Sequence, residues 1–229
     1  MRSPDDASRR LEETDGCRVC GAIELGIFAR IDGKAYWRCK ACEAVLLDTQ
    51  CLPSPDEELE HYRHHQNDEA DPRYRRFLSR LADPLLTRLP PGSEGLDYGC
   101  GPGPALAAIL REKGHAMQVY DPFFAPDASA LERRYDFIVC TEAAEHFHHP
   151  AREFARLDGL LKPGGWLGLM TCFRTDDRLF EAWHYRRDPT HVIFYREETL
   201  VYLARQFGWQ CEIAAKDVAL MRKAGVAGP

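Results

Sequence analysis

The chain has 229 residues, enough for one full-sized domain and a small additional module. Its composition, with 45% hydrophobic and 29% charged residues, is typical of a water-soluble protein. The net charge of -6 argues against a surface that coats nucleic acid. No stretch approaches the roughly 18 apolar residues of a membrane span, and the start of the chain lacks the apolar segment of a signal peptide. We therefore expect a cytoplasmic protein with no membrane partner.

Four of the nine cysteines form two closely spaced pairs early in the chain. Cys17 and Cys20 form the first pair, and Cys39 and Cys42 form the second. Two such pairs predict a four-cysteine zinc ribbon over residues 15–50. Because four thiolates leave no open ligand position, we expect a structural Zn²⁺, with a redox or zinc-transfer role as the alternative.

A helical connector is predicted over residues 51–92, between the ribbon and a main domain over residues 93–229. The connector begins with a segment rich in proline and acids that caps a helix near Asp56, and it breaks at the sequence NDEADP. A second helix continues with leucines at helical spacing until the sequence LPPG ends it. Residues 1–14 are predicted to be a flexible N-terminus.

In the main domain, predicted strands alternate with predicted helices. The strands include AMQVYD, YDFIVC and WLGLMTC, and the helices include ALAAILREKG and REFARLDGLL. This alternation predicts right-handed crossovers, a parallel sheet and an α/β fold. Ligands of such sheets bind at the carboxyl ends of the strands, where the candidate residues described next are found.

The sequence LDYGCGPG combines an acid, Asp97, with Gly99, Gly101 and Gly103. Glycines let a ligand approach the backbone closely, but the spacing GxGxG differs from the GxGxxG of dinucleotide-binding loops. A carboxylate at Asp97 favours a cationic ligand group, and Asp121, which closes the next strand, suits a ribose diol. Adenosine with a positively charged amino-acid tail describes S-adenosylmethionine.

Four motifs in order, LDYGCGPG, VYDP, YDFIVCTEAAEHF and LKPGGWLGLMT, resemble those of the class I S-adenosylmethionine-dependent methyltransferases, over roughly residues 94–223. The resemblance implies a Rossmann-like, seven-stranded methyltransferase sheet whose last strand is antiparallel. It also implies that Asp97 and the three glycines surround the methionine part of the cofactor. Asp121 is then expected to hold the ribose, and Glu142 to border the cofactor.

The segment FFAPDASALERR between VYDP and YDFIVC is too short for the usual helix followed by a full third strand. The residue that faces the adenine therefore stays open between Phe123 and Leu131. Either side chain can instead belong to the core.

Three histidines are the candidate catalytic residues, because a histidine can take a proton near neutral pH. His146 follows the fourth strand in EAAEHFHHP, where the alternative role is a hydrogen bond that braces the loop. His184 and His191 lie in WHYRRDPTHVIFY, a loop after the fifth strand, where a capped turn is the alternative for His191. The resemblance also places a lid before the domain, so His65 and Asn67 are expected near the pocket.

The leading interpretation is an enzyme that methylates oxygen, nitrogen or sulfur of a small, polar or anionic metabolite. The first alternative is an RNA base methyltransferase that uses the zinc ribbon for RNA binding, in which Tyr36 and Trp37 stack on bases. The basic face of the ribbon is then provided by Arg18, Arg30, Lys34, Arg38 and Lys40. The second alternative is a non-catalytic module that binds S-adenosylmethionine. The acceptor and the oligomeric state are not indicated by the sequence.

Overall fold

The computed structural model describes residues 16–64 and 68–225 of the chain. The predicted flexible N-terminus, residues 1–14, lies outside the described residues, as do His65 and Asn67. Within the described ranges, no helix combines the length and the apolar character needed to cross a membrane.

The cysteine-rich segment forms a small antiparallel sheet. Its strands are β1 (Leu25–Ile31), β2 (Lys34–Cys39) and β3 (Val45–Leu47), and a fourth strand, β8 (Ile193–Phe194), joins β3 from far along the chain. The turn Asp32–Gly33 connects β1 to β2, and its two residues have φ angles of 52° and 77°. Such left-handed turns match the twist of a hairpin, and β1 and β2 form one between the two cysteine pairs.

Two helices connect this ribbon to the main sheet, α1 (Pro55–Tyr62) and α2 (Pro72–Leu86). Ser54 caps α1, because its hydroxyl accepts the N–H of Glu57 while the Glu57 carboxylate accepts the N–H of Ser54 at 2.8 Å. The apolar face of α2 is buried against the main sheet, as the leucine spacing predicted. Its fully buried leucines are Leu78, Leu81 and Leu85.

The main sheet has the strand order β5-β4-β6-β7-β10-β9. Its strands are β4 (Glu94–Tyr98), β5 (Ala116–Tyr120), β6 (Tyr135–Thr141), β7 (Leu161–Met170), β9 (Gln210–Ala215) and β10 (Val218–Arg222). The first four run parallel, and β10 is antiparallel to both of its neighbours. The connecting helices are α3 (Ala105–Glu112), α4 (Pro150–Leu160) and α5 (Glu197–Gln206).

The α/β methyltransferase-type sheet expected from the resemblance is present, but it has six strands within the described residues and not seven. The difference lies between Asp121 and Tyr135, where the chain makes one bridge to Ala125 and a single 3₁₀ turn at Ala128–Leu131. A crossover between parallel strands needs about a dozen residues before the next strand even begins. The segment is too short for a crossover and a further strand, so β5 forms the edge of the sheet.

The ribbon shares its hydrophobic core with the main domain. Tyr36 of the ribbon packs on Phe194 with ring centroids 6.0 Å apart, and both belong to one buried cluster with Tyr195 and Leu203. A second cluster joins α2 and α3 to the main sheet. The ribbon therefore packs against the main domain through a continuous apolar contact.

Gly95 in β4 is expected to tolerate no side chain. An added Cβ would lie 2.3 Å from Cζ of Phe137 and 2.7 Å from Sδ of Met117, both in the packed core. Gly95→Ala should lower the free energy of unfolding by about 1–3 kcal/mol, measured by urea denaturation with an unchanged m-value. Gly26→Ala is the control, because nothing lies within 4 Å of a Cβ there. Equal stability of the two variants would contradict this packing.

Candidate active site

The loop between β4 and α3 has a bare backbone where the GxGxG pattern indicated one. Gly99 and Gly101 have φ angles of 78° and 64°, which glycine adopts without strain. A Cβ at Gly99 would lie 2.6 Å from Cβ of Ala143, in the loop after β6. The N–H of Gly99 donates to the carbonyl of Tyr120 at 2.8 Å, so the glycine loop lies at the carboxyl ends of β4 and β5.

Asp121 holds this glycine loop in place from the end of β5. Its Oδ2 accepts the N–H of Gly101 at 3.0 Å, and its Oδ1 accepts the N–H groups of Phe123 and Phe124 at 2.9 and 3.0 Å. The carboxylate is nearly buried, and it forms part of the wall of a large cavity. Asp121 is therefore rigidly oriented before any ligand binds.

The cavity has a volume of about 710 Å³ and opens at the carboxyl ends of the parallel strands. Seven parts of the chain form its wall among the described residues: the glycine loop, the end of β5, the loop after β6, helices α1, α2 and α4, and the segment between β7 and β8. Phe123 is in this wall and Leu131 is not, so of the two candidates for the adenine wall only Phe123 is in position.

Asp97 and Gly103 are not among the residues that line the cavity. The Asp97 side chain is 3% exposed, and it accepts a hydrogen bond from the backbone N–H of Ala107 in the first turn of α3. Burial raises the pKa of this carboxyl to about 7. Asp97 thus anchors α3 from behind the glycine loop, whereas the cavity wall contains the predicted cofactor residues Gly99, Gly101 and Asp121.

Glu142, the first residue after β6, is part of the wall, as the resemblance implied for a residue that borders the cofactor. It has a φ angle of 47°, uncommon for a residue with a side chain, and its N–H donates to the carbonyl of Met170 at 2.8 Å. Burial, together with the negative charges of Glu145 and Asp217, raises the pKa of Glu142 to about 9. The carboxyl is therefore protonated at neutral pH in the free protein.

Glu145 is completely buried, and only one of its carboxylate oxygens has a partner. Oε1 accepts the hydroxyl of Tyr185 at 2.5 Å, whereas Oε2 has no hydrogen-bond partner among the described residues. The Tyr185 oxygen is also 2.9 Å from Oγ1 of Thr171 and accepts the N–H of Cys172 at 3.2 Å. Burial raises the pKa of Tyr185 well above its usual value, so its hydroxyl keeps its proton.

His146 and His191 turn the same ring nitrogen toward the backbone. Nδ1 of His146 is 3.1 Å from the carbonyl of Thr190, and Nδ1 of His191 is 2.7 Å from the carbonyl of Tyr185. Because a carbonyl can only accept, both Nδ1 atoms carry the proton, and Nε2 of each neutral ring keeps a lone pair. Burial lowers the pKa of His191. Both rings lie in the cavity wall with centroids 4.7 Å apart.

His184 also lines the cavity, so the structure brings the three predicted catalytic histidines to the same wall. It begins the 3₁₀ turn His184–Arg187, and its side chain is exposed. Asp188 follows this turn, and its Oδ2 is 3.0 Å from Nε2 of His61. Its Oδ1 accepts the N–H of Thr190 at 2.9 Å. Asp188 thereby orders the turn that leads to His191.

Sequence reasoning missed the face of α1 that closes the cavity. Oε1 of Glu58 is 3.1 Å from Nε2 of His148, and the ring of Tyr62 lies 5.2 Å from that of His146. The available signal was the spacing of Glu58 and Tyr62, four residues apart on one face of the predicted helix.

The four cysteines of the ribbon converge on one point. Sγ of Cys17 is 3.7 Å from that of Cys42, Sγ of Cys20 is 3.6 Å from that of Cys39, and all four sulfurs lie within 4.8 Å of one another. Four thiolates around an ion at about 2.3 Å would be roughly 3.8 Å apart, so the cluster fits a tetrahedral zinc site.

The two knuckles use the same turn. The N–H of Gly21 donates to the carbonyl of Cys17 at 2.8 Å, and the N–H of Glu43 donates to that of Cys39 at 3.0 Å. Gly21 and Glu43 both have positive φ angles, of 77° and 62°. A turn repeated with this geometry presents each pair of thiols to a common point, which supports the fit of the four sulfurs.

The ribbon does not offer the base-stacking surface that the RNA base methyltransferase alternative requires of its aromatic residues. Tyr36 and Trp37 are 3% and 8% exposed, so neither ring is free to stack on a base. The reason is tertiary packing, because Phe180 covers Tyr36 with ring centroids 5.1 Å apart. Arg18 is also occupied, since its guanidinium donates to the carbonyls of His148 and Leu47 at 3.0 and 2.7 Å.

Comparisons with known proteins agree with this geometry. A family model described as a methyltransferase domain matches residues 60–213, more than half of the chain. The ubiquinone biosynthesis O-methyltransferase of Leptothrix cholodnii is 32% identical over a region that covers 36% of this chain and 46% of that protein. The chain therefore matches less than half the length of this relative.

Two solved structures share the fold. An O-methyltransferase family protein from Burkholderia thailandensis has a TM-score of 0.50 and 20% identity, over 72% of this chain and 62% of that chain. A chain from the complex between the Haloferax volcanii Trm112 methyltransferase activator and a methyltransferase has a TM-score of 0.50 and 16% identity, over 69% of this chain and 96% of that chain. At these identities the likeness concerns the fold alone.

The hydroxyl of Tyr185 is expected to stabilise the buried Glu145 carboxylate. Tyr185→Phe removes the single partner of Oε1, and we expect the free energy of unfolding to fall by about 1–3 kcal/mol, measured by chemical denaturation. Tyr202→Phe, which removes a hydroxyl from a partly exposed tyrosine on α5, is the matched control. If both variants were as stable as the wild type, the hydrogen bond to Glu145 would contribute nothing.

Proposed function

The chain belongs to the methyltransferase-domain family of S-adenosylmethionine-dependent enzymes, and we propose that it methylates an atom of a small, polar metabolite. The observation that carries the proposal is the continuity of the cavity. The glycine loop and Asp121 form one part of its wall, and Glu145, His146 and His191 form another. Donor and acceptor can thus bind side by side, as an in-line transfer requires.

For the cofactor, we propose that the ribose binds beside Asp121 and that Phe123 lies against the adenine. The bare backbone at Gly99 and Gly101 gives the methionine part close access to the loop. Glu142 then faces the ammonium group of the methionine part, because it lines the cavity close to this loop and its carboxyl can ionise beside a cation. Asp97 and Gly103 support the loop from outside the wall.

For the acceptor, we propose that Nε2 of His146 or His191 accepts a hydrogen bond from the attacking group and takes its proton. The attacking atom donates a lone pair to the methyl carbon while the bond between carbon and sulfur breaks. That electron pair stays on sulfur, which becomes a neutral thioether. His184 at the exposed mouth is placed to exchange protons with solvent.

The charges of the wall favour a neutral polar acceptor over an anionic one. Among the described residues the wall contains a single arginine, Arg156, which already donates to Tyr98 and Glu153 at 2.9 Å. Its carboxyl groups are those of Glu58, Asp121, Glu142, Glu145, Glu153 and Asp188. The name of the Leptothrix cholodnii relative, an O-methyltransferase, supports oxygen as the acceptor atom.

We also propose that the four cysteines bind a structural Zn²⁺, on the fit of their sulfur positions to a tetrahedron. The burial of Tyr36 and Trp37 weighs against the RNA base methyltransferase, and the ordered cavity weighs against a module without catalysis. The cytoplasmic location stays a prediction.

Methyl transfer can be tested without knowing the acceptor. The protein is incubated with methyl-labelled S-adenosylmethionine and an extract from a strain that lacks it, and label is then counted in the small-molecule, RNA and protein fractions. We expect label in the small-molecule fraction. Asp121→Ala should abolish transfer and weaken cofactor binding at least tenfold in calorimetry, because the loop and the ribose lose a partner.

His64→Gln, on an exposed side chain beyond α1, is the control and should behave as the wild type. Label in RNA alone would favour the RNA alternative. An Asp121→Ala protein with unchanged affinity would refute the proposed position of the ribose.

Binding of the cofactor is expected to release a proton from Glu142. In the free protein the pKa of this carboxyl is about 9, so it is protonated at pH 7.5. A cation beside it favours the ionised form and lowers the pKa. The calorimetric binding enthalpy should therefore vary with the ionisation enthalpy of the buffer.

Glu142→Gln should lose that variation, and Glu60→Gln on the exposed side of α1 should keep it. If Glu142→Gln still releases the proton, the source is another group, of which Asp97, with a pKa of about 7, is the first candidate.

A further inference from the structure

We propose that Glu145, His146 and His191 form a second metal site, distinct from the four cysteines, for a divalent transition-metal ion. One ligand atom from each side chain lies within 4.8 Å of the other two. The three residues come from the loop after β6 and from the segment before β8, and all three line the cavity.

The protonation of the two histidines prepares them as ligands. Each donates Nδ1–H to a backbone carbonyl, which leaves the lone pair of Nε2 available in a fixed ring orientation. Histidines that ligate metals almost always donate their other ring nitrogen to a carboxylate, a carbonyl or water in this way. Two neighbouring rings with the same arrangement favour a shared ligand on their Nε2 atoms.

The buried carboxylate supplies the third ligand. Oε2 of Glu145 has no hydrogen-bond partner among the described residues, although the side chain is completely buried. An unpartnered buried carboxylate oxygen is costly, and a cation is a partner that removes this cost. The hydroxyl of Tyr185 holds Oε1 at 2.5 Å and so limits the rotation of the carboxylate.

The donor set and the geometry fit such an ion after a small closure. The ligand atoms of the three side chains lie within 4.8 Å of one another, whereas ligands bound at about 2.0–2.2 Å to one tetrahedral ion are roughly 3.5 Å apart. Two imidazoles and one carboxylate suit Zn²⁺ and related ions, and three protein ligands leave at least one position open. That position faces the cavity.

The ion would change the chemistry of the acceptor, a step that rests on the proposed methyl transfer and in which the ion replaces the histidine base. A hydroxyl oxygen bound in the open position becomes more acidic, and its proton leaves to water at the mouth, because a ligated Nε2 cannot take it. The oxygen then attacks the methyl carbon, and the electron pair of the broken bond stays on sulfur. The site therefore points to an acceptor with a metal-binding hydroxyl.

The test counts zinc in the full chain. The protein is saturated with Zn²⁺, freed of excess by gel filtration, and assayed for zinc before and after a mercurial that releases only thiolate-bound ions. We expect about two zinc ions per chain, one released from the four cysteines and one retained. A single zinc ion per wild-type chain, all of it released by the mercurial, would overturn the second site.

Glu145→Gln and His191→Gln should lose only the retained ion, while His64→Gln keeps both. A retained ion in both cluster variants would also overturn the proposal, since it would bind elsewhere. Added zinc should raise the melting temperature of mercurial-treated wild type, which keeps the test decisive if the variants fold poorly. Cofactor binding measured on the same samples tests the proposed function separately, because the site beside Asp121 shares no ligand with this cluster.

Discussion

The candidate site depends on two backbone hydrogen bonds made by Val192. Its carbonyl accepts the N–H of Leu47 at the end of β3, and its N–H donates to the carbonyl of Glu145, both at 2.9 Å. One residue thereby joins the ribbon, the segment before β8 and the loop after β6. Glu145 is hydrogen-bonded to Val192, and His191 directly precedes Val192 in the chain. Their side chains are therefore brought together on the cavity wall.

A second connection, through Arg18, makes the ribbon a support for the same loop. The half-buried guanidinium donates to the carbonyls of His148 and Leu47, and the carbonyl of Arg18 accepts the N–H of Ala151 at 2.9 Å. Arg18 lies between the first two cysteines, so the proposed zinc ion would fix its position. The folding energy of the metal would then act on the cavity wall as well as on the ribbon.

What could be predicted from the sequence was local in origin. The spacing of the cysteines, the glycine loop and a helix start near Asp56 each follow from a few neighbouring residues, and each is present in the structure, where Ser54 is the residue that caps the helix. Strand β8 could not be predicted, because its two residues are a strand only where the tertiary fold brings them beside β3. The same pairing buries the ribbon aromatics, which composition alone indicated as free to stack.

The errors at the main sheet have a similar cause. The short segment after Asp121 already conflicted with a third strand, but the resemblance to the family implied one. Asp97 directly precedes the glycine loop, but its buried side chain is not among those that line the cavity, and its role toward the cofactor stays a prediction. Side-chain direction at such a position is decided by burial against a helix, which a motif does not encode.

A carboxyl group of the wall can favour binding of the cofactor and yet slow the transfer of its methyl group. An ionised acid beside the sulfur would attract the cofactor but would stabilise the reactant more than the transition state, in which positive charge leaves the sulfur. An acid beside the ammonium group has no such cost, because that charge is unchanged by the reaction. This favours the ammonium group as the partner of Glu142. Glu145, on the acceptor side, would need its charge offset locally, which the Tyr185 hydroxyl and a bound ion would both provide.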